Sequence, residues 1–283
     1  MRGNGTQYHR AMAPLILTVA PTGAETSPAV NPGVPITTEA IAADAARCLA
    51  AGAAIVHVHV RDGEGRASDD PGRIRDAVTA IRERAPGMVV NVSTAGALDH
   101  DGPRRLAALA AGADMCSLDA GSMNFGEGVF LNPPGFLADL ARQARDQGVK
   151  PEIEVFDVAH VANALRLADA GLLEPPLWFQ FVLGVPGGIP ATADNLLHLV
   201  RQLPTGSLFS TIGIGRHQLP MTTISAAIGG HVRVGLEDNV YLRRGELATN
   251  VALVERSARI ASELERPLAS PAQVRELLVL RVP

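Results

Sequence analysis

The chain has 283 residues, a little above the usual size of one α/β barrel and too short for two large domains. Nearly half of it, 47%, is hydrophobic, enough for a sizeable core. A net charge of −4 without any block of like charge argues against a nucleic-acid surface, and no apolar run reaches transmembrane length.

Residues 1–13 are polar, lack the apolar centre of a signal peptide and read as a flexible tail, so the expected domain is 14–283 and the expected compartment the cytoplasm. From there, β-branched runs alternate with alanine- and leucine-rich helical runs. Eight strands are expected: Leu15 to Val19, Ala54 to Val60, Val89 to Ser93, Met115 to Leu118, Glu152 to Phe156, Leu177 to Val182, Leu208 to Ile212 and His231 to Leu236. Amphipathic stretches separate them. Thr37 or Thr38, Pro71 after Asp69 and Asp70, and Thr192 mark helix starts. Two further helices follow the last strand, from Asn250 and after Ser270. This pattern predicts a single (β/α)8 TIM barrel. An open doubly wound sheet is the alternative, but it wants a Gly-rich turn leading directly into a helix. Here the first strand runs into a long loop, Ala20 to Pro35, with four prolines.

Catalytic groups of such barrels gather at the C-terminal ends of the strands. The second strand carries His57-Val-His59-Val-Arg-Asp62. Residues two apart on a strand face one side, so both imidazoles converge, which makes half a site for zinc or a similar metal. The plainer reading is two core histidines bonded to neighbours. In the eighth strand Arg233, Gly235 and Glu237 share one parity, and Glu237 is a candidate third ligand that leaves a position open. Asp238 is then a candidate general base placed by Arg233, or else its partner in a structural ion pair at the rim.

Other strand ends are polar as well: Ser93, Thr94 and Gly96; Asp119; and Glu154 with Glu152. Ser93 or Thr94 also reads as a capping hydroxyl. Gly213-Ile-Gly215-Arg216 is a candidate anion-binding turn, with His217 beside it. Lys150, the only lysine, precedes the fifth strand and so lies at the far end of the barrel. That argues against Schiff-base and carbamylated-lysine chemistry. Cys48 and Cys116 read as buried free thiols.

Taken in order, Pro21-Thr-Gly-Ala-Glu25, His57 to Asp62, Asn91-Val-Ser93-Thr94, Gly121-Ser-Met-Asn124-Phe, Pro151 to Asp157, Gly213 to His217 and Gly229 to Asn239 resemble the β-keto acid cleavage enzyme family. The resemblance runs from Pro14 to Leu280. It implies a TIM barrel, a homotetramer, and one zinc ion per chain on His57, His59 and Glu237. It also implies Asp238 as base, supported by Arg233 and Glu154, a substrate-contacting Ser93, and Glu25 meeting the substrate's amino group. The implied reaction joins a β-keto acid and acetyl-CoA to give acetoacetate and a new acyl-CoA, with the CoA site expected at the sixth- and seventh-strand loops (Gly213, Gly215, Arg216). Asp119 stands where a small or hydroxyl residue is commoner in the family, and Ala95 where glycine is usual. Both bear on the substrate end. The competing readings are a CoA-independent metal-dependent aldolase or hydrolase and a non-catalytic barrel with a structural metal. The apolar run from Glu276 to Arg281 is a candidate for a subunit interface.

Overall fold

In the computed structural model, which describes residues 12–96 and 102–281, the helix starts read from the sequence are capped termini. The Ala40 amide donates to the Thr37 hydroxyl, that of Arg73 to the Asp70 carboxylate and that of Asn195 to the Thr192 hydroxyl. Ser270 and Gln273 form a reciprocal capping box. The elements run β1 (Leu17–Val19), α1 (Thr38–Ala50), β2 (Ile55–Val58), α2 (Pro71–Arg84), β3 (Val89–Val92), α3 (Gly102–Ala107), β4 (Met115–Asp119), α4 (Pro134–Gln147), β5 (Lys150–Val155), α5 (Val158–Asp169), β6 (Trp178–Leu183), α6 (Ala193–Val200), β7 (Leu208–Gly213), α7 (Gln218–Ala227), β8 (His231–Val234), α8 (Asn250–Glu263) and α9 (Pro271–Leu278). Up to residue 11, the expected tail lies outside the described residues.

The eight strands close a parallel barrel in chain order. β1 pairs with β8 through Leu17–Val232, Thr18–Arg233 and Val19–Val234. Strands buried on both faces explain the near-continuous apolar runs in the sequence. Three short hairpins, which strand periodicity did not signal, extend the loops: Val60–Arg61 with Ala67–Ser68, Met123–Phe125 with Gly128–Phe130, and Tyr241–Arg243 with Glu246–Leu247.

The barrel interior changes character along its axis. At the N-terminal ends Ile16, Ile55, Val89, Met115 and Trp178 form an apolar floor with Val274 and Leu278 of α9. The run from Glu276 to Arg281 therefore serves the floor: Leu278 and Leu280 are buried there, and only Val279 of its apolar residues is exposed. Above the floor the interior is polar, with Thr18, His57, Asn91, Glu152, Gln180 and Ser210 all buried. Such a layer loses hydrophobic stabilisation, so it is retained for the groups it positions. Lys150 opens β5 at the floor end and donates to the Glu174 carbonyl. Both cysteines are buried and free, and burial pushes their thiols up, away from reactivity. Among the described residues no helix is long and apolar enough to cross a membrane.

Candidate functional site

His57 and His59 both turn into the barrel mouth, with ring centroids 5.2 Å apart. The Glu237 Oε1 lies 3.8 Å from His57 Nε2 and 3.6 Å from His59 Nε2. Donor atoms of the three residues all fall within 4.8 Å of one another. Glu237 Oε2 is buried without a hydrogen-bond partner among the described residues. Two imidazole nitrogens and a carboxylate oxygen this close together fit a divalent cation with a further position open.

Strand parity alone does not bring Glu237 to this point. β8 ends at Val234, and Gly235 takes φ +147°, where an added Cβ would lie 2.0 Å from the Ala20 carbonyl oxygen. The Asp238 and Asn239 amides then both donate to the Gly235 carbonyl, closing a turn. Gly23 completes the fit, since a Cβ there would meet Glu237 Cγ at 2.6 Å. The turn carries both Glu237 and Asp238 into the cavity, although successive residues of a strand would point apart.

Arg233 is buried at the centre of a carboxylate network. It grips Asp238 with two bonds, Nε to Oδ2 at 3.1 Å and Nη2 to Oδ1 at 3.0 Å. It also reaches Glu154 Oε1 at 3.3 Å and pairs with Glu237. The ion pair considered as a structural alternative thus exists, and it sits inside the site. Burial alone would lower the guanidinium's affinity for its proton, but its three carboxylates outweigh that and hold it charged. Burial raises Asp238 to about 6 against the pull of Arg233. Burial, then the neighbouring Asp119, pushes Glu154 well up. Burial also works to raise Glu237, yet the Arg233 guanidinium wins and holds it well below the usual carboxylate range. Burial, followed by Arg233, holds His57 neutral, the form that ligates metals.

A buried contact behind the histidines was not assigned from the sequence. Glu152 Oε1 faces His57 Nδ1 at 3.8 Å, and that nitrogen has no hydrogen-bond partner among the described residues. Its carboxylate is fixed by Asn91 Nδ2 at 2.7 Å and Trp178 Nε1 at 2.8 Å. A carboxylate on the far nitrogen of a ligating imidazole fixes tautomer and ring orientation. Arg61 is a second such residue. It donates to the carbonyls of Gly23, Gly65 and Thr26 and so holds the loop bearing Glu25.

Ser93, Gly96, Asp119 and Glu25 line the same cavity as the histidines, with Glu25 exposed at its mouth. Asp119 is buried and faces Arg105 at 3.4 Å. Arg105 in turn donates to the Thr94 and Leu131 carbonyls and lies over Phe130 and Phe136, a tether between strand ends that the sequence did not reveal. Phe125, Phe156, Val182 and Ile212 form the apolar wall. Thr94 differs from its neighbours: its hydroxyl donates to the Ser117 carbonyl, inside the wall and away from the histidine cavity. The Gly213–Gly215 turn also departs from the expected amide cradle. The Gly215 amide donates to the Asp238 carbonyl, and the His217 carbonyl fills the flank of Gly213. Arg216 is exposed in a groove beside the cavity, while the His217 ring packs by Gly184.

Comparison with protein-family models matches residues 14–280 to the beta-keto acid cleavage enzymes. A 3-keto-5-aminohexanoate cleavage enzyme of Fusobacterium nucleatum subsp. nucleatum is 41% identical, over 95% of this chain and 99% of its own. A 3-oxoadipate:acetyl-CoA acetyltransferase of Cupriavidus necator is 39% identical, over 94% of this chain and 95% of its own. Among solved structures, the apo structure of ObcA superimposes with a TM-score of 0.77 at 23% identity, over 89% of this chain and 66% of that one, a likeness of fold. The match over nearly the whole barrel, His57 to Asp238 included, means that the chain belongs to the beta-keto acid cleavage enzyme family.

Proposed function

We propose that this protein is a zinc-dependent β-keto acid:acetyl-CoA acyltransferase that releases acetoacetate. The observation that carries this reading is Asp238, gripped by Arg233 beside the His57, His59 and Glu237 donor set in one cavity. A divalent ion held by those three residues supplies positive charge that polarises the keto group and stabilises an enolate. Asp238 takes a proton from C2 of the keto acid, with Arg233 and Glu154 holding its carboxylate in place. The carbanion attacks the acetyl carbonyl of acetyl-CoA, and the thiolate leaves. The thiolate then adds to the original keto carbon, the bond from that carbon to C2 breaks, and the acetoacetate carbanion takes its proton back from Asp238. Ser93 contacts the substrate. The family resemblance supports a homotetramer in the cytoplasm as part of the same reading.

The test is acetoacetate release from acetyl-CoA across β-keto acids with amino, quaternary ammonium, hydroxyl, alkyl and carboxyl tails. A strong signal with one class supports the reaction; cleavage without acetyl-CoA favours the aldolase or hydrolase. Glu25 at the mouth supports an amino- or ammonium-bearing tail. Glu25→Gln is then expected to reduce the preference for that tail over neutral ones by roughly fivefold, a partly exposed ion pair's worth. Unchanged selectivity rejects the tail assignment.

Glu152 carries a separate expectation. Glu152→Gln removes the charge facing His57 Nδ1 while keeping a similar shape, and zinc affinity should fall by about 10- to 100-fold. Competition with a chelator reads this directly; an affinity within twofold of the parent contradicts it.

A further inference from the structure

Five carboxyl groups line the metal cavity, those of Glu25, Asp119, Glu154, Glu237 and Asp238, and Arg233 is the one arginine or lysine among its described lining residues. Four of the five have a place in the proposed chemistry. Glu237 belongs to the metal donor set, Arg233 holds Asp238 and Glu154, and Glu25 stands exposed at the mouth. Asp119 is buried, and the cation it faces, Arg105 at 3.4 Å, lies outside the cavity lining.

Arg105 cannot turn away from this position. Its Nε donates to the Thr94 carbonyl at 2.7 Å, Nη1 to the Leu131 carbonyl at 2.9 Å and Nη2 to Asn132 Oδ1 at 2.7 Å. The rings of Phe130 and Phe136 lie over it, with centroids 4.8 and 4.3 Å from the guanidinium carbon. All of these partners are neutral, so among the described residues Asp119 carries the one carboxylate that answers its charge. Asp119 also shares a hydrogen bond with Glu154, its register neighbour on β5. The ion pair is only 4% and 1% exposed, so solvent screens it little. Without the Asp119 charge the guanidinium would stand uncompensated, one side chain away from the cavity.

We propose that Asp119 is a specificity-determining residue: its carboxylate occupies Arg105 and so excludes β-keto acids whose tail ends in a carboxylate. A second carboxylate on the substrate meets the like charge of Asp119 in the cavity, and Glu25 at the mouth adds the same sign. Neutral and cationic tails meet no such barrier. Once Asp119 is neutral, the fixed guanidinium behind it becomes a receptor for an acidic tail, because arginine pairs with carboxylates through its planar N–H donors. The inference rests on the proposal that this cavity takes a β-keto acid.

The test compares 3-oxohexanoate with 3-oxoadipate, which has the same carbon chain but ends in a carboxylate in place of a methyl group. The full-length parent protein, zinc-loaded, should favour 3-oxohexanoate by about tenfold or more in kcat/KM. Asp119→Asn keeps the shape and can still hydrogen-bond to Glu154, but it drops the charge, and the ratio should move about tenfold or more toward 3-oxoadipate. Asp119→Ser, which also opens room, should move it the same way. Adding Arg105→Gln to Asp119→Asn should cancel the gain. Calorimetry with hexanoate and adipate reads the same selectivity without turnover. A parent that prefers 3-oxoadipate, a ratio within about twofold of the parent in both single variants, or a gain that survives Arg105→Gln overturns the assignment. So does an equal change for both acids, which places Asp119 at the keto acid head they share. If the parent releases no acetoacetate from acetyl-CoA with any keto acid, the functional reading fails, and the binding ratio of adipate to hexanoate alone decides the role of Asp119.

Discussion

Replacing His59 with alanine should remove the metal and lower kcat/KM by about 10³-fold or more. Lewis-acid stabilisation of a developing enolate is worth several kcal/mol, at about 1.4 kcal/mol per tenfold in rate. The variant leaves His57 and Glu237 as donors, too few to hold a catalytic ion, and Glu237 falls back on its pair with Arg233. His59 lies beyond the last residue of β2, so the barrel's hydrogen-bond ladder stays intact. Elemental analysis after gel filtration, alongside turnover, checks both halves together. A metal-free variant that still cleaves a β-keto acid at the parent rate would refute the ligand assignment and the need for a metal at once.

Asp238→Asn should separate the base from the metal. It removes the proton acceptor but keeps a similar shape against Arg233, and Asp238 is not one of the three donors, so metal content should hold while kcat drops by about 10²- to 10⁴-fold. The sharper readout is deuterium exchange at C2 of a bound keto acid in the absence of acetyl-CoA, which isolates the first proton transfer. Exchange at the parent rate in the variant would assign the proton to another group, with Glu154, raised by burial and held 3.3 Å from Arg233, as the next to examine.

Much of this site was legible in the sequence because it depends on local geometry. The two-residue repeat of a strand put His57 and His59 on one face, and Glu152 with Glu154 on another. Capping residues located the helices, and the helices located the strand ends where a barrel keeps its chemistry. Periodicity missed the three hairpins because their strands are two or three residues long, too short for an alternation to register.

Contacts between distant parts of the chain decided the rest. Parity placed Glu237 with Arg233 but turned Asp238 away; the Gly235 turn, forced by close approach of Ala20, brought both inward. Thr94 looked as available as Ser93 until Ser117, 23 residues on, took its hydroxyl. The Gly213–Gly215 turn had the composition of an anion cradle, yet the Asp238 carbonyl occupies the one amide and the His217 carbonyl crowds the other glycine. The pairing of Glu152 with Asn91 spans 61 positions and that of Arg233 with Glu154 spans 79. By itself, then, the sequence determined the barrel, the family and which residues are candidates for the site, because period, capping and motif order are properties of neighbouring residues. Which donors remain free to meet a ligand was decided only by the tertiary structure, since a polar group's availability depends on whichever distant partner reaches it first.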